Sequence, residues 1–293
     1  MSLPRQIIPG TSYMITRRCT QRQFLLAPSP RVCEVFLYCL AVAAERTGVQ
    51  VHALTVMSNH YHIIVTDPVG RLPEFYGWLH PFVAKALNAH RGRWENFWAS
   101  EPTSCVRLAT PQDVLAKTVY ALANPVAAGL VARGDDWPGL RIYTPGRRRI
   151  KRPSGFFRSD GPMPEEVTLS VTLPPIGATN AHDALERVDA AVERCEAEVR
   201  ATFRAESRAF LGVAAVRAQQ PTAAPTTQEP RRELSPRVAC RYQWLRIDIL
   251  GRAKQFLVAY REALRRWREK RDIAFPFGTY QMVHRHAVAV APS

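Results

Sequence analysis

The chain has 293 residues, with 40 Lys and Arg against 25 Asp and Glu and a formal net charge of +15. That length can bury a core in one large domain or two small ones, and the charge calls for a polyanionic partner, nucleic acid first and an anionic membrane surface second. Neither a disulfide framework nor a membrane span fits: Cys19, Cys33, Cys39, Cys105, Cys195 and Cys240 form no C-x-x-C pair, and the longest apolar run, 35–44, is too short to cross a bilayer.

Residues 12–19 alternate as a first strand. A helix over 30–47 follows Pro28 to Pro30, with Val32, Val35, Phe36, Cys39, Leu40 and Ala43 at helical spacing and Gly48 closing it. Residues 49–57 read as a second strand, Ser58-Asn59 as a tight turn, and His60-Tyr61-His62-Ile63-Ile64-Val65 as a third strand. A helix over 72–90 ends at Arg91-Gly92-Arg93, and a short strand spans 105–108. Pro111-Gln112-Asp113 then opens a third helix that runs to 123, where Asn124-Pro125 interrupts it. The order β-α-β-β-α-β predicts an α+β fold: a ferredoxin-like (RRM-like) antiparallel sheet with helices on one face.

Beyond residue 140 the texture changes. The basic run 141–152 reads as an exposed loop, either against phosphates or simply solvated, and 166–173 alternates as a strand. A mixed-charge helix covers 181–212, and 219–235 reads as a flexible linker too poor in apolar residues to fold. Residues 236–271 carry Arg and Lys in excess, interleaved with Tyr242, Trp244, Phe256, Tyr260 and Trp267. This is a mainly helical, basic C-terminal region; a DNA-binding accessory is preferred to a membrane-surface helix. The expected units are therefore 1–140, an accessory α/β extension 141–218, the linker 219–235, and 236–293.

Chemistry concentrates in two places. Strand alternation puts His60 and His62 on one face, about 7 Å apart along the strand, with Tyr61 on the other. Such a pair is either two satisfied core histidines or half of a metal site. In the third helix, Lys117, Tyr120 and Asn124 lie on one face at spacings of three and four. A tyrosine there is ordinarily core. Beside a histidine pair it gains another reading: two imidazoles and an amide oxygen can hold a divalent cation on a phosphate while the tyrosine oxygen attacks phosphorus. Positive charge from the cation or Lys117 would favour the phenolate. Imidazole and oxygen donors without thiolates suit Mg2+ or Mn2+.

Met57-Ser58-Asn59-His60-Tyr61-His62-Ile63-Ile64 resembles the HUH motif of single-tyrosine transposases, and Tyr120-Ala121-Leu122-Ala123-Asn124-Pro125-Val126 resembles the tyrosine-helix motif of REP-associated tyrosine transposases. The resemblance covers about residues 5–140. It implies His60 and His62 as metal ligands, Asn124 as the third, and Tyr120 as the nucleophile. It also implies a metal-dependent strand transferase that cleaves and rejoins single-stranded DNA at hairpin-associated sites through a 5′-phosphotyrosine. The implied partner is DNA with hairpin or palindromic repeats, and the state monomer or homodimer. Three departures stand out: Tyr61 is larger than the usual central hydrophobe, no His lies between Tyr120 and Asn124, and 141–293 has no counterpart in the compact enzymes.

Two alternatives accompany that reading: a domesticated, non-catalytic DNA-binding protein, and a metal hydrolase of small substrates, which leaves the charge unexplained. Candidate phosphate contacts are Arg17, Arg18, Arg93, Lys117, Arg147, Arg148, Arg149, Lys151 and Arg152, each with an ordinary surface role as the alternative. Trp94 and Trp98 either stack on bases or serve as core or lid residues. No leader peptide is read at the N-terminus, so a cytoplasmic, nucleoid-associated protein is expected, with no membrane partner.

Overall fold

The computed structural model describes residues 4–156, 163–227 and 237–292. Strand β1 (Thr11–Arg18), helix α1 (Pro30–Thr47), strands β2 (Gln50–Val56) and β3 (His60–Asp67), helix α2 (Leu72–His90) and strand β4 (Ser104–Leu108) follow in the order β-α-β-β-α-β. Helix α3 (Pro111–Leu122) and the short α4 (Asn124–Ala127) come next. The caps explain these limits. The Ser29 hydroxyl accepts the Val32 N–H ahead of α1, and Gly48 ends it at φ +71°. Thr110 and Asp113 form a capping box at α3. The fully buried Asp67 carboxylate accepts the N–H groups of Gly70, Arg71 and Leu72 and so fixes the entry to α2.

Strand β1 lies between β3 and β4, antiparallel to both, and β3 pairs antiparallel with β2. One face of this sheet carries Ile15, Tyr61, Ile63 and Val65, buried with α1 and α2. The other carries Met14, Ala53, Ile64 and Val106, buried against α3 and helix α5 (Ala181–Ala205). Helices therefore cover both faces, not the one expected. The strands are apolar at both parities, and each face needs a cover.

The chain past residue 140 continues this sheet, so the expected boundary there falls inside one layer. Strand β5 (Arg141–Ile142) pairs with β2; β6 (Gly146–Lys151) and β7 (Glu166–Val171) form a hairpin whose β7 runs parallel to β2. Strand β8 (Val238–Ala239) adds to β4, giving an eight-stranded sheet. The basic run 147–151 is thus an edge strand rather than a loop; cations on such an edge discourage pairing with other chains. After α5, which ends at Ala205 and not near 212, come α6 (Val213–Arg217), α7 (Gln243–Arg268) and α8 (Gln281–His286). Ser207, at φ +52°, turns the chain out of the helix.

Residues 219–227, expected to be a flexible linker, are tied down: Ser58 Oγ donates to Gln219 Oε1, the Ala223 carbonyl accepts the Phe24 N–H at 2.8 Å, and the Thr227 carbonyl accepts Arg22 Nη1 at 2.7 Å. The remainder of that expected linker, 228–235, lies outside the described residues. Just before this strap, Val216 of α6 is fully buried with Met57 and Val126. Among the described residues, no helix is long and apolar enough to cross a membrane.

Candidate active site

Strand register builds the site. His62 lies opposite Thr16 of β1 and Thr55 of β2, and His60 opposite Arg18. His60 and His62 face α3 and stand with ring centroids 4.8 Å apart. The Tyr120 ring of α3 meets the His62 ring edge-on at 5.2 Å. His62 is only 3% exposed whereas Tyr120 is 48% exposed, so the phenol stands at the mouth over a buried imidazole. Lys117 Nζ lies 5.2 Å from the centroid of the Tyr120 ring, one turn back on α3. Asn124 opens α4 on the turn after Tyr120, partly exposed, with the backbone still helical through Ala123.

Hydrogen bonds orient both imidazoles. Asn59 Nδ2 donates to the Arg22 carbonyl, which turns Asn59 Oδ1 toward His60; His60 Nδ1 donates to it at 2.7 Å. The Nε2 lone pair of His60 is then directed away from Asn59. His62 Nδ1 bonds to Thr16 Oγ1 at 2.7 Å, while His62 Nε2 is buried with no hydrogen-bond partner. The hydroxyl of Thr55, on the other flank of His62, is likewise buried and unpartnered. Burial first, then the charges of His60, Arg18 and Lys117, holds His62 well below the usual histidine range. It is a neutral imidazole with an idle nitrogen. Such a nitrogen, with its opposite ring position fixed by a hydroxyl, is the form in which histidine binds a metal. Among the described residues, no group of three or more His, Cys, Asp or Glu could hold a metal ion. Any cation here would be held by the two histidines with oxygen donors such as the Asn124 amide.

The expected phosphate contacts separate. Arg18 is exposed on the histidine face, but alternation sends Arg17 to the opposite one, where its guanidinium donates to His80 Nδ1 at 2.7 Å and sits over Trp98. Arg93 packs against Gln23, donating to it at 3.3 Å. In β6, Ile150 enters the α1 core, so Arg148 shares its side while Arg147, Arg149 and Lys151 line the face that also holds the histidines. Their strand is three spacings from β3, about 14 Å, and the register through β7 and β2 sets them at the end of the sheet away from His60 and His62. Arg149 lies 3.9 Å from Glu166, and Arg152 donates to the Met163 carbonyl. Trp98 is core, donating to the His80 carbonyl, whereas Trp94 is exposed. Thr16, Thr55 and His80 carried no signal in the sequence beyond their register and the face they fall on.

No protein-family model matches the chain, and no curated protein matches it. Among solved structures, a REP-associated tyrosine transposase bound to a REP hairpin is 19% identical, with a TM-score of 0.40 over 47% of this chain and 81% of that one. A putative transposase from Deinococcus radiodurans R1 is 18% identical, with a TM-score of 0.28 over 36% of this chain and 85% of that one. Likenesses this loose leave the assignment to the residues themselves.

Proposed function

We propose that this chain is a DNA strand transferase that cleaves and rejoins single-stranded DNA at hairpin-associated sites, with Tyr120 as the nucleophile and a 5′-phosphotyrosine as the intermediate. The observation that carries this reading is the half-exposed Tyr120 ring set against buried His62, whose Nε2 has no partner. A structural tyrosine would be covered and a structural histidine satisfied; here neither is. The motif resemblance at residues 57–64 and 120–126 supports the same roles.

His60, His62 and Asn124 would hold Mg2+ or Mn2+, and such a cation, when bound, draws charge from the scissile phosphate. Lys117 and Arg18 supply further positive charge for the incoming strand. Tyr120 Oη attacks phosphorus in line, and the bond to the 3′ oxygen breaks. The 5′ phosphate stays on Tyr120, and the departing oxygen leaves as a 3′ hydroxyl, taking up a proton to balance the one lost by the phenol. Attack by a 3′ hydroxyl reverses the exchange and frees Tyr120. Tyrosine and histidines come from one chain, so a monomer would suffice. The work would be done in the cytoplasm, on the nucleoid.

The test is a denaturant-stable protein–DNA adduct formed with Mn2+ on a hairpin-bearing single strand. Wild type is expected to form it, and Tyr120→Phe to lose it while still binding DNA. Adduct retained in Tyr120→Phe sinks the assignment. Binding without adduct in wild type leaves a non-catalytic DNA-binding scaffold.

A further inference from the structure

Helix α7 spans 26 residues, about 39 Å at the helical rise. Its buried seam recurs every seven residues, through Ile249, Phe256 and Ala263, and Tyr260, Leu264 and Trp267 pack beside it with Phe275 and Met282. At 100° per residue the opposite side carries Ile247, Gly251, Lys254, Val258, Arg261 and Arg265, all of them exposed. At the N-terminal end two aromatic rings stand in solvent: Tyr242 is 54% and Trp244 81% exposed. Apart from Arg265, which pairs with Glu262 and Glu269, none of these side chains is used in packing or pairing among the described residues.

The charges on α7 are equally one-sided, with seven Arg or Lys residues and two acidic ones. Asp248 is spent on Arg252, and Glu262 on Arg265 and Arg266. Among the described residues, the side chains of Arg246, Lys254 and Arg261 have no ion-pair or hydrogen-bond partner. The solvent face of α7 therefore carries two unpartnered cations, Lys254 and Arg261, and the exposed Trp244 ring toward its N-terminal end, with Arg246 on the flank.

We infer that this face docks single-stranded DNA, with a base stacking on Trp244 and phosphates meeting Lys254 and Arg261. The choice of DNA rests on the function proposed for the Tyr120 site; the stacking and charge arguments come from α7 alone. An anionic bilayer fits less well. Interfacial helices keep an apolar centre line with cations at its edges, whereas Lys254 sits on the centre line between Ile247 and Val258. A second copy of α7 would bring two faces of excess positive charge together.

The full-length chain tests this with a labelled oligothymidylate. The double variant K254E/R261E is expected to weaken binding about tenfold or more and to lower the slope of log K against log salt by about 1.4, two phosphates at about 0.7 each. Trp244→Ala should cost about tenfold and remove the part of the fluorescence quenching that DNA causes in wild type. Because every substituted side chain is exposed, the fold is expected to survive, and circular dichroism checks it. A charge-matched control on α5, R194E/R204E, should change neither affinity nor slope; an equal loss there would show a diffuse field and overturn the docking face. Vesicles of phosphatidylglycerol that change Trp244 fluorescence when the oligonucleotide does not would overturn it as well. Adduct formation at Tyr120 is followed in parallel and should persist in K254E/R261E at saturating DNA. If wild type forms no adduct, the catalytic reading fails while the docking measurements still stand or fall alone.

Discussion

Two faces of strand β3 use nearly the same residue types and arrive at opposite ends. On the α2 side, hydrogen bonds join Tyr61, His80, Arg17 and Trp98 and occupy both ring nitrogens of the histidine, although Arg17 Nε stays buried without a partner. Arg17 donates into His80 Nδ1, which leaves the proton on Nε2 to be donated to Tyr61 Oη, and Trp98 donates to the His80 carbonyl. On the α3 side, His60, His62, Tyr120 and Lys117 gather as closely, yet His62 Nε2 is buried and idle and the Tyr120 ring is half in solvent. The first face pairs both nitrogens of its histidine and so stiffens the strand. The second carries an unmet demand that a ligand would fill. Content of histidine and tyrosine therefore does not mark a site; a buried imidazole nitrogen without a partner, set beside an exposed phenol, does.

Paired substitutions can break or sharpen that contrast. The largest difference is expected between His62→Ala and His80→Ala. His62→Ala should cut metal-dependent adduct formation by about a thousandfold with little change in the unfolding midpoint. His80→Ala should cost about 2–3 kcal/mol in denaturant unfolding, since Arg17 and Tyr61 lose their partner, and should leave adduct formation in the folded protein. If the two phenotypes were exchanged, the contrast would be wrong.

Acid comes next. Burial pushes His80 well below the usual range and His52 down to about 4, the latter held between Thr66 and Thr172. Both are neutral when folded and protonate more readily when unfolded. The unfolded state therefore binds more protons below about pH 6.5, and stability is full above that pH and drains away toward pH 4. Near pH 5, His52 alone should account for a loss of about 2 kcal/mol. Melting scans from pH 7.5 to 4.5 would show the decline, and His52→Gln should flatten it.

Thr16→Val removes the hydroxyl on His62 Nδ1 and should weaken Mn2+ binding about 10- to 100-fold. Thr16→Ser should restore it, and electron paramagnetic resonance of free Mn2+ reads both without turnover. The smallest effect separates Arg18 from Arg17. Arg18→Gln should lower the salt slope of single-strand binding by about 0.7. Arg17→Gln should leave that slope alone and cost about 1 kcal/mol of stability.

Much of this was legible beforehand where the signal was local. Pro30, Gly48 and Pro111 mark helix ends because such signals act within a turn, and period-two alternation separates His60 and His62 from Tyr61. The same alternation also separates Arg17 from Arg18, although as neighbouring cations they read as a pair. What escaped the sequence was non-local. The run Arg147-Arg148-Arg149 hides the alternation of an edge strand, since Ile150 is its one buried residue. Composition makes 219–227 look unfoldable, yet backbone groups of Phe24 and a side chain of Arg22 hold it. Thr16 gains meaning only from the register that sets it opposite His62.

Val216 has a consequence in time as well as in space. It is buried in one cluster with Met57, one residue before the Ser58-Asn59 turn, and Val126, two residues after Asn124. The two halves of the site are thus clasped by a side chain synthesised some ninety residues after the second of them. While the chain is still emerging, His60, His62, Tyr120 and Asn124 exist but lack their clasp, and α5 has yet to cover α3. The expected result is a chain that assembles its candidate site only when translation has passed α6. A chain stopped at residue 205 should show exposed apolar surface by dye binding and no adduct, and the full chain should show the reverse.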